Sequence, residues 1–145
     1  MSDVAAIGPQ VGLLLRLAHQ RAARTFREAL IPLGIDGRLF GVLSALGRLG
    51  PSTQARLITE LDADKSAMLR TVDDLEQRGL VERQTVPGDR RARIIALTAA
   101  GQERLTAAEQ TATKASATLF ATMDPDELVA LRDMLARFVA EGREP

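Results

Sequence analysis

Four arginines crowd one short stretch of this chain. Arg83, Arg90, Arg91 and Arg93, opposed there only by Asp89, place a net charge of +3 within eleven residues. Guanidinium groups at that density bind anions, phosphate above all, because each presents a fixed fork of donors that matches a phosphate edge. Elsewhere the chain is poor in reactive side chains. It has no cysteine and one histidine, His19, which excludes disulfides, thiolate zinc sites, iron–sulfur clusters and thiol redox switches and leaves acid–base or metal chemistry little to work with. There is no glycine-rich phosphate loop, no cluster with metal-ligand spacing and no Ser/His/Asp set with a choice of histidine, so no metal, no cofactor and no enzyme activity is expected. The aromatic residues are four Phe, too few for a stacking platform on single-stranded nucleic acid, whereas duplex binding stays open.

A cluster of arginines needs a scaffold, and 145 residues with 46% hydrophobic and 26% charged side chains suffice for one folded domain, 1–145. No apolar run approaches the roughly 20 residues of a membrane helix and no signal-like N-terminus is seen, so a cytoplasmic protein without a membrane partner is expected. The net charge is zero, but it divides into +3 over residues 1–60, 0 over 61–97 and −3 over 98–145.

The apolar spacing predicts helices. Val11, Leu15, Ala22 and Phe26 recur at helical intervals between Gln10 and Leu30. Asp36 is placed to cap a second helix with Leu39, Val42, Leu43 and Leu46 inward; Ser52 or Thr53 a short third through Leu61; Asp62 or Asp64 a fourth over Lys65–Arg78. At 100° per residue Met68, Val72 and Leu75 of that helix gather on one side and Ser66, Arg70, Asp73 and Gln77 on the other. Gly79 suits its left-handed stop. Val81–Val86 and Arg93–Leu97 then read as strands of a hairpin whose loop, Pro87 to Arg91, carries Arg90 and Arg91 at its tip. Thr98 starts a long helix to about Thr122 with a stripe through Leu105, Ala108, Ala112, Ala115 and Leu119, and Asp124, Pro125 and Glu127 start a last one lined by Leu128, Leu131, Leu135 and Phe138. Gly142 to Pro145 read as a frayed end.

The predicted fold is therefore mainly α: six helices with a two-stranded β-hairpin. A short helix, an amphipathic helix and a basic hairpin in that order are the arrangement of a winged helix-turn-helix, in which the second helix enters the major groove and the hairpin reaches the flanking backbone or minor groove. Spacing alone leaves this level with the plainer reading, a solvated arginine-rich turn. A protein-binding winged helix without specific DNA binding also stands, favoured by Asp73, Asp74 and Glu76 on the reading helix.

The run LDADKSAMLRTVDDLEQRGLVERQTVPGDRRARIIALTAAG, Leu61 to Gly101, resembles the core of the multiple-antibiotic-resistance regulator (MarR) family of bacterial transcription factors. Ser66 and Arg70, LEQRGLVER from Leu75 to Arg83, DRRAR from Asp89 to Arg93, and LTAAG carry the likeness jointly; the terminal helices match only in length and polarity. The resemblance implies a homodimer that represses from an inverted-repeat operator on double-stranded DNA and is released by a small aromatic or lipophilic effector. It implies an N-terminal dimerisation helix in 1–35, a DNA-binding region in 36–100 and C-terminal dimerisation helices in 101–145.

Carried over residue by residue, the resemblance places Lys65, Ser66, Ala67 and Arg70 toward the major groove, Thr53 and Gln54 at phosphate, Arg91 in the minor groove with Asp89 orienting it, and Arg90 and Arg93 on phosphates. Arg70 suits guanine O6 and N7, and Ala67 a thymine methyl. The dimer surface falls to Val11 and Leu15, to Leu105, Ala108, Ala112 and Leu119, and to Leu128, Leu131, Leu135 and Phe138, stripes that a chain this small has little of its own to cover. The helix-5 stripe also has the alternative of packing within one subunit. The family's effector region suggests Arg16, His19, Arg38 and Phe40 as pocket residues, with His19 alternatively a core histidine.

Overall fold

The computed structural model of the protein describes residues 2–142; of the expected frayed end only Gly142, the C-cap of the last helix, falls among them. Six α-helices and one two-stranded antiparallel sheet follow in the order α1 (Ser2–Leu30), a 3-10 turn (Ile31–Leu33), α2 (Gly37–Leu49), α3 (Gln54–Leu61), α4 (Lys65–Gln77), β1 (Val81–Val86), β2 (Asp89–Leu97), α5 (Ala99–Leu119) and α6 (Pro125–Glu141). Among the described residues no single helix is long and apolar enough to cross a membrane.

The caps fall where short acceptors stand ahead of apolar runs, because the first N–H groups of a helix need partners. Asp36 Oδ1 accepts from Leu39 N–H at 2.9 Å, Thr53 Oγ1 from Arg56 N–H at 3.2 Å and Asp64 Oδ2 from Ala67 N–H at 2.9 Å. Of the paired candidates, Thr53 caps α3 and Asp64 caps α4. Ser52 instead bridges to Ile95, exchanging backbone bonds of 3.0 and 2.8 Å that tie the hairpin to the α2–α3 turn. Asp62, in the left-handed region at φ 48°, closes α3. Asp124 and Glu127 form the reciprocal capping box of α6.

The helix α1 begins eight residues before the predicted start and runs through Pro9. One ring costs the helix a single backbone bond, and in this exposed segment the freed carbonyl is open to water.

The core gathers Leu39, Leu43, Leu57, Val72, Leu75 and Ile95 from α2, α3, α4 and β2. Leu105 and Ala108 belong to it too, at 1% and 0% exposure, with Leu119 at 9%. The expectation that these three face a second subunit is therefore corrected. The small residues of α5 let α1 and α2 of the same chain approach closely enough to cover the stripe, and Leu105 Cδ2 lies only 2.6 Å from where a Cβ on Gly47 would stand. Closer still, a Cβ on Gly101 would fall 1.8 Å from the Leu80 carbonyl oxygen, so α5 leaves the sheet at a point only glycine fits.

α6 buries none of its residues. Leu128, Leu135 and Phe138 stand exposed on it with Leu131 half-buried, and Val4, Ile7, Val11 and Leu14 stand exposed on α1. Leu15 is half-buried.

Candidate nucleic-acid interface

α4 turns Met68, Val72 and Leu75 into the core and leaves Lys65, Ser66 and Arg70 on the outside, as its periodicity requires. Ala67 is half-buried and lines a small cavity against α2 with Arg38 and Thr71, so its methyl points along the lobe and not outward. At the start of α3, Thr53 is exposed and Gln54 half-buried. Among the described residues Lys65, Arg70, Arg90 and Arg91 enter no ion pair, so their charge is available to an outside anion.

The hairpin differs from its sequence reading in one respect. Its turn is only Pro87–Gly88, with Gly88 at φ 85°, and β2 starts at Asp89, so Arg90 and Arg91 stand on the strand and not at the tip. Val86 pairs with Asp89 and Thr85 with Arg93, which leaves residues 90–92 as a bulge. Asp89 Oδ1 accepts from the backbone N–H groups of Arg91 (3.0 Å) and Ala92 (3.3 Å), while Arg93 Nη1 donates to the carbonyl of Arg90 at 2.9 Å. Asp89 thus orients Arg91 through its backbone, and Arg93 braces the bulge that presents Arg90 and Arg91.

Arg83 leaves the positive cluster altogether. It turns onto α4, with Nη2 2.6 Å from Asp73 Oδ1 and Nη1 2.7 Å from Glu76 Oε1. Burial works against its charge, but the hydrogen bond to Asp73 and the charges of Glu76 and Asp73 outweigh it and hold the guanidinium above its ordinary pKa. Asp74 is matched as well. The hydrogen bond from Arg78 (2.7 Å) exceeds the cost of burial and, with the charges of Arg78 and Arg38, holds its carboxyl below the ordinary 3.8. All three acids that favoured a protein-binding α4 are therefore engaged by arginines of the same chain, Asp73 and Glu76 sharing Arg83 and Asp74 held by Arg78 and Arg38. Among the described residues, the cations left without a partner of their own on this side are Lys65, Arg70, Arg90 and Arg91.

Behind α4 lies a second feature, a groove of about 890 Å³ between α1, α2 and α5. Arg38 and Phe40 line it, as expected. Arg16 and His19 do not; both are exposed on α1, which removes the core reading of His19 within this chain and separates it from the groove. Phe26 and Arg27 take their place, and Ala112, expected at the dimer surface, is part of the same wall. Only the position of Phe26 on the apolar stripe of α1 could have signalled this. Arg38 also reaches α4, donating to Thr71 Oγ1 at 3.3 Å and Asp74 Oδ2 at 3.4 Å, besides Asp36 Oδ2 at 3.4 Å.

Comparison with known proteins agrees with this geometry. The profile of the MarR family matches residues 33–92. The HTH-type transcriptional repressor NicR of Pseudomonas putida is 34% identical over 130 residues, 90% of this chain and 82% of its own length. Among solved structures, a mutant MarR from E. coli complexed with operator DNA has a TM-score of 0.82 at 28% identity, over 89% of this chain and 93% of that one. BpsR of Bordetella bronchiseptica, whose DNA binding is regulated by 6-hydroxynicotinic acid, has a TM-score of 0.82 at 26% identity, over 90% and 98%.

Proposed function

The chain belongs to the MarR family of transcriptional regulators, and from that premise we propose that it is a homodimeric repressor that reads an inverted-repeat operator and is released by a small anionic aromatic ligand. The observation that carries the DNA reading is the outer face that presents Ser66 and Arg70 on α4 and Arg90 and Arg91 on the braced bulge, their side chains free of ion pairs, while Asp73, Asp74 and Glu76 of α4 are held by arginines. In this reading residues 36–100 bind DNA, with Thr53 and Gln54 at phosphate, Lys65, Ser66 and Arg70 in the major groove and Arg91 in the minor groove. Residues 1–35 and 101–145 dimerise. The apolar sides of α1 and α6 support this, since Val11, Leu128, Leu135 and Phe138 stand exposed among the described residues. The protein acts in the cytoplasm and without catalysis, as befits a regulator.

The groove supports the ligand half of the proposal. Its volume falls in the range of small-molecule sites, with Phe26 and Phe40 as apolar walls and Arg27 and Arg38 as cations. Because Arg38 also holds Thr71 and Asp74, an anion that draws its guanidinium into the groove loosens the tie between α2 and the reading helix. Such a ligand shifts the protein only by binding the loosened state more tightly.

Fluorescence anisotropy on the duplex upstream of the protein's own coding sequence, against a scrambled duplex at two salt concentrations, tests this. Tight, selective and salt-dependent binding at two chains per duplex is expected, with release by aromatic carboxylates such as 6-hydroxynicotinate. Equal affinity for both duplexes contradicts sequence reading.

A further inference from the structure

Resting on the DNA-reading function above, we propose that Leu69 is a specificity-determining residue: its side chain packs on the 5-methyl group of a thymine in each half-site and selects T over C there. Leu69 is 46% exposed, and among the described residues it is the one large apolar side chain left in the open between Ile31 and Leu128. A single exposed leucine is ordinary by itself. Its position is what matters. At 100° per residue it falls between Lys65 and Ser66 on α4, about 60° from the buried Val72 and roughly 100–120° from Met68 and Leu75, on the flank of the exposed face that carries Arg70.

The other exposed apolar residues lie on α1, the 3-10 turn and α6, so Leu69 continues no dimer surface. Its place on the reading helix favours a duplex over a protein. Lys65, one turn before it, is an unpaired cation, and Asp73, one turn after it, shares Arg83 with Glu76. An isolated leucine on the helix that enters the major groove meets there the one apolar group that the groove offers, the thymine methyl. Leucine has no donor or acceptor, so it distinguishes T from C by the methyl alone. A 5-methylcytosine at that position satisfies it equally. Ala67, the sequence-based choice for this contact, is turned toward α2.

The test starts from duplexes enriched by the wild-type dimer from a randomised pool. In the enriched inverted repeat each symmetry-related pair of thymines is replaced by deoxyuridine, which removes only the methyl groups, and the Kd is measured for wild type and Leu69→Ala. Losing one buried methyl weakens binding about fourfold, so one thymine pair is expected to cost wild type about fifteenfold. The same pair should cost Leu69→Ala less than twofold, and 5-methylcytosine there should restore wild-type binding. Alanine at an exposed helical position preserves the fold, which the unchanged salt dependence of the variant checks. Tolerance of uracil at every position, or an equal loss in Leu69→Ala, overturns the assignment. Failure of the pool to enrich any sequence overturns the operator reading itself, and Leu69 with it.

Discussion

Replacing Arg83 with glutamine separates two jobs that its ion pairs perform. The guanidinium ties β1 to α4 through bonds of 2.6 and 2.7 Å to Asp73 and Glu76. Bonds to charged groups contribute about 1.5–3 kcal/mol each when shielded. Here the Asp73 and Glu76 side chains are 49% and 43% exposed, and solvent screening reduces the pair together to about 1–2 kcal/mol. For a chain of this size that lowers the Tm by roughly 3–8 °C, readable by circular dichroism. The second loss is in DNA affinity, since each reading helix then carries one more uncompensated negative charge close to phosphates. At ~8 Å through water that charge costs about 0.5 kcal/mol, so over the two helices of a dimer affinity in low salt should fall roughly fivefold, and the defect should shrink as salt is added. Arg83→Gln combined with Glu76→Gln restores the net charge; it should recover most of the affinity and none of the stability. Wild-type affinity in the single variant, or a double variant as weak as the single, would refute the placement of these acids beside DNA.

Four further outcomes follow from the same geometry. Asp74, held below 3.8 by Arg78 and Arg38, contributes stability that is full above that pH and is lost as the pH falls through its lower folded-state value. Denaturation midpoints of wild type should therefore drop more steeply than those of Asp74→Asn in that acid range, and parallel curves would contradict it. Gly101→Ala drives a methyl into the Leu80 carbonyl and should cost at least ~3 kcal/mol in urea denaturation, against ~1 kcal/mol for Gly47→Ala, where only the end of Leu105 must yield. Leu135→Asp should give monomers in sedimentation velocity with the helical content retained, because α6 contributes nothing buried to its own chain. In the wing, Arg91→Ala should weaken operator binding by about 1–3 kcal/mol and Arg90→Ala should mainly lower the salt slope; unchanged affinity in both removes the bulge from the interface.

Local chemistry was legible in the sequence wherever one residue type has one good use. Asp36, Thr98 and Asp124 all cap the helices they precede, one of each neighbouring pair, Thr53 beside Ser52 and Asp64 beside Asp62, caps α3 and α4, and Gly79 takes the positive φ that ends α4. The outward face of α4 followed from its period. Tertiary choices were not legible. An alanine-rich stripe fits a neighbour in the same chain as well as one in a second chain, and α5 took the first option at Leu105 and Ala108. Net charge along a segment says nothing about where a side chain turns, so Arg83 counted toward the positive cluster until its partners on α4 were seen. A one-strand view of a hairpin cannot show a bulge, which depends on pairing across the sheet, and the length of the loop was overestimated for that reason. The groove draws on three helices far apart in sequence, so two of its four expected residues, His19 and Arg16, fell about one and two helical turns short of its lining, which starts on α1 at Ala23.

The most direct test of a dimer that reads DNA through α4 and the wing is a hydroxyl-radical footprint on the duplex the wild-type protein selects. Two symmetric protected half-sites, centred roughly 10 bp apart and flanked by minor-groove protection that disappears in Arg91→Ala, are the expected pattern. A single asymmetric patch, or protection unchanged by loss of Arg70 and Arg91, would contradict it.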